Sequence, residues 1–302
     1  MAEPAIACNN LTKYYGRICG IENLELEVSK GEVFGFLGPN GAGKTTTLRL
    51  LLDLIRPTRG TARILGRHCQ GDGLAVRRMV GYLPGEFNLY ERLTGKQLLN
   101  YLGALRGGND TGFVQTLADR LGAQLDRTIG SLSHGNKQKL ALLQALAPRP
   151  EVLILDEPTS GLDPLVRQVF HQLIAEARAE GRTVFLSSHD LAEVEKTCDR
   201  IGSVREGRLI AIESVASLRS AELRIVRLKC AREPDPEPFM RLPGIDGLEI
   251  TGRNLECRVR GQLGSLLAAA MPFEVLDILS REPTLEEFFL ALYGRNETGH
   301  AD

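Results

Sequence analysis

Val33-Phe34-Gly35-Phe36-Leu37 runs directly into Gly38-Pro39-Asn40-Gly41-Ala42-Gly43-Lys44-Thr45, and these thirteen residues decide the fold. A near-continuous apolar run of strand length is what a strand buried on both faces requires. The eight residues after it match G-x-x-x-x-G-K-T, and a Leu-rich helix pattern follows from Thr46 to Ile55, stopping before Pro57 and Gly60. Strand, glycine loop and helix in that order is the context in which this spacing binds phosphate. The glycines let backbone N–H groups turn inward, and the helix N-terminus adds a favourable dipole. Lys44 then places its charge on the β- and γ-phosphates, and the Thr45 hydroxyl is positioned to ligate Mg²⁺. Residues Gly38 to Thr46, with Thr46 opening the helix, are the candidate nucleotide contacts. Alone they specify a nucleotide and no more.

Outward from the loop, Glu22-Asn23-Leu24-Glu25-Leu26-Glu27-Val28 alternates apolar and polar residues, the period of a half-exposed strand. The stretch from Met79 to Leu146 reads as largely helical. Thr94 is a candidate cap for a helix carrying Leu98, Leu99, Leu102 and Leu105. Phe113, Val114, Leu117 and Leu121 mark a second helix, and Leu140, Leu143 and Leu146 a third that opens after Gly135. Val152 to Leu155 and Thr183 to Leu186 are further buried strands. Between them, Asp163-Pro164 is an N-cap followed by proline in the first turn. This alternation predicts an α/β fold, a mostly parallel sheet with helices on both faces and an antiparallel β edge. The helical insert covers about residues 80–147. Near residue 215 the texture changes to short strands, with a hairpin signal at Gly252-Arg253-Asn254 and a capping-box pattern at Thr284 and Glu287. The expected division is a nucleotide-binding domain over 1–214 and a small α+β appendage over 215–302.

Composition bounds the function. A formal net charge of −1, with Lys and Arg scattered, gives no reason to expect a nucleic-acid partner. No window approaches the roughly 18–20 apolar residues of a spanning helix, and the N-terminus lacks a signal-peptide pattern. A soluble, cytoplasmic chain is expected. The six cysteines contain no Cys-x-x-Cys pair and read as reduced thiols without metal.

The strand Val152-Leu153-Ile154-Leu155 ends in Asp156-Glu157. Asp156 at the strand end can hold Mg²⁺, directly or through water. Glu157, one residue on, is placed to orient and deprotonate an attacking water. Upstream, Ser131-Leu132-Ser133-His134-Gly135-Asn136 opens a helix. Downstream come Ser160-Gly161-Leu162-Asp163 and then His189, which follows a strand. Tyr15, in Lys13-Tyr14-Tyr15-Gly16, precedes the phosphate loop.

In this ordered set the chain resembles the ATP-binding-cassette family over roughly residues 4–215, with Leu132-Ser133-His134-Gly135-Asn136 in place of the Leu-Ser-Gly-Gly-Gln signature. The resemblance implies a P-loop NTPase cassette that binds ATP with Mg²⁺ and hydrolyses it. It implies that Tyr15 stacks on adenine and that Ser133, His134, Gly135 and Asn136 face the γ-phosphate held by the other subunit of an ATP-bound dimer. Asp163 would join the two sites, and Lys44, Glu157 and His189 would act on the γ-phosphate and water. It further implies a separate transmembrane permease subunit, with this chain held at the inner face of the cell membrane through that partner. The Gly81-Tyr82-Leu83-Pro84 loop and the C-terminal appendage resemble bacterial drug-export ATPases.

Two departures stand out. His134 and Asn136 replace a usual Gly and Gln, and Gly85 stands where the family has a Gln that links Mg²⁺ and water to the membrane partner. Glu86 reads as a solvated loop carboxylate, and turnover is expected to tolerate Gly85→Gln. The rival readings are a cassette ATPase acting on ribosomes or DNA, and a regulatory module that binds ATP without useful turnover.

Overall fold

The computed structural model describes residues 3–108, 110–220 and 223–281. It divides into two units, Met1–Ser214 and Val215–Asp302. The axis of the first unit is β3 (Val33–Leu37), whose five residues are all buried. It lies in a six-stranded sheet ordered β10-β9-β3-β8-β7-β6. Here β6 is Val80–Leu83, β7 Val152–Asp156, β8 Thr183–Ser188, β9 Arg200–Arg205 and β10 Arg208–Ser214. All neighbours in it are parallel except β9 and β10. Parallel strands buried on both faces need the continuous apolar sequence that β3, β7 and β8 carry.

A second, antiparallel sheet is ordered β2-β1-β4-β5, from Ile6–Tyr15 (β1), Ile18–Val28 (β2), Arg59–Ile64 (β4) and Arg67–His68 (β5). One hydrophobic cluster joins both sheets. Ile6, Leu11 and Leu24 meet Phe34, Phe36 and Phe185, with Leu48, Leu50 and Leu51 of α1 (Lys44–Leu51) in the same core. Each such side chain contributes about 1.5–3 kcal/mol of burial. That core anchors both ends of the phosphate loop.

Around the sheets lie α2 (Gly73–Met79), α3 (Gly95–Ala104), α4 (Thr111–Leu121), α5 (His134–Leu146), α6 (Pro164–Ala179) and α7 (Leu191–Thr197). The caps follow the sequence. Thr94 and Gln97 form a reciprocal capping box on α3, and Asp163 accepts from the Val166 N–H on α6. Two boundaries differ from expectation. The helix after the loop starts at Lys44 and ends at Leu51, because Asp53 takes a left-handed φ of 54° that turns the chain before Ile55. Val80–Leu83, read as the start of the helical insert, is the edge strand of the parallel sheet. It follows α2 with no breaking residue between them.

The second unit begins with α8 (Val215–Ser220). It continues as β11 (Leu223–Cys230), α9 (Glu237–Met240), β12 (Ile245–Thr251), β13 (Asn254–Arg260), α10 (Gly264–Ala270) and β14 (Val275–Arg281). Its sheet is ordered β12-β13-β11-β14 with every pair antiparallel, the split βαβ arrangement. Val226, Leu228, Leu255, Cys257 and Val259 alternate along their strands and pack with Phe239 and Leu266. The Thr284–Glu287 pattern lies outside the described residues.

None of the six cysteines is bridged, and five are buried. Burial pushes the thiols of Cys69 and Cys257 up to about 12 and about 11, which keeps both as inert packing groups. Among the described residues no helix is long and apolar enough to cross a membrane.

Candidate active site

The phosphate loop leaves β3 and enters α1 through Gly43. Its φ is 106°, a conformation glycine tolerates and L side chains rarely adopt, and a Cβ there would sit 2.3 Å from the Gly20 carbonyl oxygen. Gly43 is the N-cap, so Lys44 opens the helix. The Lys44 side chain is only 6% exposed. Its Nζ donates to the carbonyls of Gly38 at 2.6 Å and Pro39 at 3.3 Å, and lies 3.1 Å from Glu157 Oε1.

The end of β7 meets the start of α1. Asp156, 1% exposed, accepts from Thr45 Oγ1 at 2.7 Å through Oδ2 and from Ser187 Oγ at 2.5 Å through Oδ1. Glu157 turns sharply away, with φ 49°. Its N–H donates to the Ser187 carbonyl at 3.2 Å and to Ser187 Oγ at 3.1 Å. Glu157 Oε2 is 2.7 Å from His189 Nδ1, on an imidazole that is 62% exposed. Lys44, Glu157 and His189 therefore form one chain of polar contacts beside the Thr45–Asp156 pair.

A cleft of about 300 Å³ opens over this cluster, lined by Tyr15, Ile18, Cys19 and Gly20, by Pro39, Asn40, Gly41 and Gly43 to Thr46, and by Glu157. Tyr15 is 43% exposed, with the Lys13 ammonium 5.3 Å from its ring centroid. Its ring lines the same cleft as the glycine loop. Ala42 is buried beneath the loop.

The other candidates lie outside the cleft lining. Ser133 caps α5, accepting from the Asn136 N–H at 3.4 Å and from Asn136 Nδ2 at 3.1 Å. The His134 ring stacks on Phe87 at 6.4 Å and 13°. With Gly135, these residues surround the N-terminus of a thirteen-residue helix, whose first N–H groups have no partner within the helix. Asp163 caps α6. At the Gly85 position a Cβ would stand 3.1 Å from Asp156 Oδ2 and 3.2 Å from Asp156 Cγ, so glycine lets the backbone run against the Asp156 carboxylate. Glu86 is exposed.

Three site residues escaped the sequence reading: Ser187, Gln138 and Glu193. Ser187 is the next-to-last residue of β8 and gives no local signal. Gln138 is the one polar position in the run Gln138, Ala141, Leu142, Ala145 on the buried face of α5, which is a signal in retrospect. Glu193 is buried just after His189. Burial raises its pKa above the ordinary 4.5, opposed by hydrogen bonds from Thr159 and Ser188.

The sequence pattern of the ABC transporter family matches residues 21–160. The Nod factor export ATP-binding protein I of Paraburkholderia xenovorans is 35% identical over 302 residues, covering 98% of this chain and 99% of that protein. The bacitracin transport ATP-binding protein of Bacillus licheniformis is 32% identical over 306 residues, covering 97% and 99%. A solved structure of an ATP-binding subunit of an ABC transporter superposes with a TM-score of 0.66 at 30% identity, over 71% of this chain and 92% of that one. A dimeric ATP-binding cassette bound to ADP and Pi, at 24% identity and a TM-score of 0.64, shares the fold. Near-complete coverage of both relatives, the parallel sheet and the phosphate loop agree: this chain belongs to the ABC transporter family, as one of its ATP-binding, ATP-hydrolysing cassettes.

Proposed function

We propose that the chain powers export of drug-like or hydrophobic compounds through a separate membrane permease, at the inner face of the cell membrane. The observation that carries the ATPase half is the Lys44–Glu157–His189 chain beside Thr45–Asp156, with Lys44, Thr45 and Glu157 lining one cleft with Tyr15. The named transport roles of the relatives support the export half. They favour it over a cassette acting on ribosomes or DNA.

The residues divide the work as follows. Tyr15 stacks on adenine, and the loop amides and Lys44 hold the triphosphate. The γ-phosphate draws the ammonium from Glu157, whose Oε1 is then free to accept a proton from an attacking water. His189 Nδ1 holds Oε2 and fixes the carboxylate plane. The Thr45 hydroxyl and the buried Asp156 carboxylate, 2.7 Å apart, are hard oxygen donors that suit Mg²⁺. Among the described residues no group of three His, Cys, Asp or Glu could hold a metal, so phosphate oxygens and water would complete the shell. The ion would neutralise charge on the phosphates.

Ser133 and Gly135 lie outside the cleft, which supports a dimer in which the signature of one copy completes the site of the other. The dimeric cassette among the structural neighbours agrees. For the permease, the first unit offers an apolar groove of about 300 Å³ lined by Leu52, Tyr82, Pro84, Leu99, Leu102 and Arg106. The Arg106 guanidinium donates there to the carbonyls of Arg77 and Val80.

Phosphate release by the isolated chain with Mg-ATP tests the enzyme half, and none above background would end it. Co-purification with a polytopic membrane protein tests the transport half. Association with ribosomes or DNA in its place would end that.

A further inference from the structure

The turn Glu157-Pro158-Thr159 is gripped by two buried polar side chains that the mechanism above does not use. Gln138 of α5 is 3% exposed, and its Nε2 donates to the Pro158 carbonyl at 3.0 Å. Glu193 of α7 is 7% exposed, accepts from Ser188 Oγ at 3.0 Å, and is also hydrogen-bonded by Thr159. Ser188 is the residue before His189, so the Glu193 carboxylate links the turn after Glu157 to the strand end that carries His189. Its second oxygen, Oε1, is buried without a hydrogen-bond partner.

Such a grip answers a need in the backbone. Glu157 adopts φ 49°, which a non-glycine residue holds only when its surroundings over-determine it. The Ser187 contacts fix its N–H. The Gln138 and Glu193 contacts fix the two residues that follow. Helix α5 also reaches further. Ser133 caps its start, and Gln144 and Ala147 at its other end line the groove assigned to the permease.

We propose that Gln138 and Glu193 are positioning residues for the Glu157 carboxylate, and that Gln138 makes α5 the link between the permease groove and the catalytic turn. This rests on the reading of Glu157 as the base. The link matters here because Gly85 has no side chain to connect the Asp156 region to a partner. A shift of α5 along its axis pulls the Pro158 carbonyl and changes where Glu157 points. The Glu193 contact holds the far end of the turn still.

The test is steady-state ATPase of the full chain for Gln138→Met, Glu193→Ala and Glu193→Gln. The affinity for a non-hydrolysable ATP analogue and the melting temperature are measured on each. Because a misplaced base costs rate and not binding, Gln138→Met and Glu193→Ala should lower kcat about tenfold and leave analogue affinity within about twofold. Glu193→Gln keeps an acceptor for Ser188 and Thr159 and should retain most of the turnover. If Gln138→Met fails to fold, Gln138→Glu removes the donor at constant shape and carries the same expectation. An unchanged kcat in Gln138→Met overturns the proposal. So does a matched fall of kcat, affinity and melting temperature, the mark of plain packing loss. Absent phosphate release in the wild type, or full turnover in Glu157→Gln, would sink the underlying reading instead.

Discussion

Replacing Glu157 with Gln should tighten ATP binding, for a reason separate from blocked hydrolysis. In the proposed site the Lys44 ammonium serves two claimants, the Glu157 carboxylate and the γ-phosphate. Its distance to Glu157 Oε1 is 3.1 Å. At an effective dielectric constant near 20, unit charges at that separation attract by about 5 kcal/mol. Hydration of the separated groups offsets most of this: partly exposed pairs net about 1 kcal/mol or less, and a buried pair costs more only when one charge is left unpaired. With Lys44 6% and Glu157 21% exposed, a net value of about 1–2 kcal/mol is reasonable. The amide of Glu157→Gln still hydrogen-bonds His189 but no longer competes for the ammonium. The dissociation constant of a non-hydrolysable ATP analogue should therefore fall about fivefold to thirtyfold, measured by calorimetry on the isolated chain. Using an analogue removes hydrolysis from the comparison. An unchanged or weaker affinity would show that the ion pair places no tax on nucleotide binding.

Gly85→Ala and Gly85→Gln should each lower turnover several-fold and by the same factor, because the intruding atom in both is a Cβ 3.1 Å from Asp156 Oδ2. This revises the tolerance expected from sequence, and ATPase rates equal to wild type would restore it. Ser187→Ala leaves the buried Asp156 Oδ1 without its donor and should cost about 1–3 kcal/mol in denaturant unfolding; no change in the midpoint would count against that contact. Asp163→Ala removes the α6 cap and should cost about 1 kcal/mol by the same measurement. Glu193 has a folded pKa raised by burial, with Asp190 and Glu157 adding to the shift. Its contribution is full below the ordinary 4.5 and is lost as pH rises through the raised value, so melting temperature should fall less with pH in Glu193→Gln than in wild type. Parallel pH profiles would refute this.

The readability of the sequence followed the range of the forces involved. The phosphate loop, the paired carboxylates and the caps at Thr94 and Asp163 are local, set by residues within a turn of one another. The sequence spelled them out. Val80–Leu83 was misread because Val-Gly-Tyr-Leu after a helix carries no local period; its strand state comes from pairing with Val152–Leu155, 72 residues away. The Lys44–Glu157 pair joins residues distant in sequence, and so does the clasp of Asp156 by Ser187 across β7 and β8. Neither has a signature that a linear pattern can carry. The crowding at Gly85 needs three dimensions altogether, since it depends on how closely a loop passes a buried carboxylate.

The same contacts bear on how ATP energy reaches a partner. Two of the proposed phosphate-side contacts replace existing ones: Lys44 must leave Glu157, and Thr45 must leave Asp156. For these two side chains, binding to a single copy is a near exchange of partners, which offsets part of what the loop amides contribute. The N–H groups at the start of α5 are different. They lie outside the cleft lining, and among the described residues the bonds at Ser133 Oγ come from Asn136 of its own helix turn. In the proposed dimer these donors meet the γ-phosphate with few prior partners to give up, so the net gain falls on closure. A ligand shifts a conformational equilibrium only through such differential contacts. Closure also loads α5 at its N-terminus, and Gln138 ties α5 to the catalytic turn. The step that assembles the site is then the same step that aims Glu157.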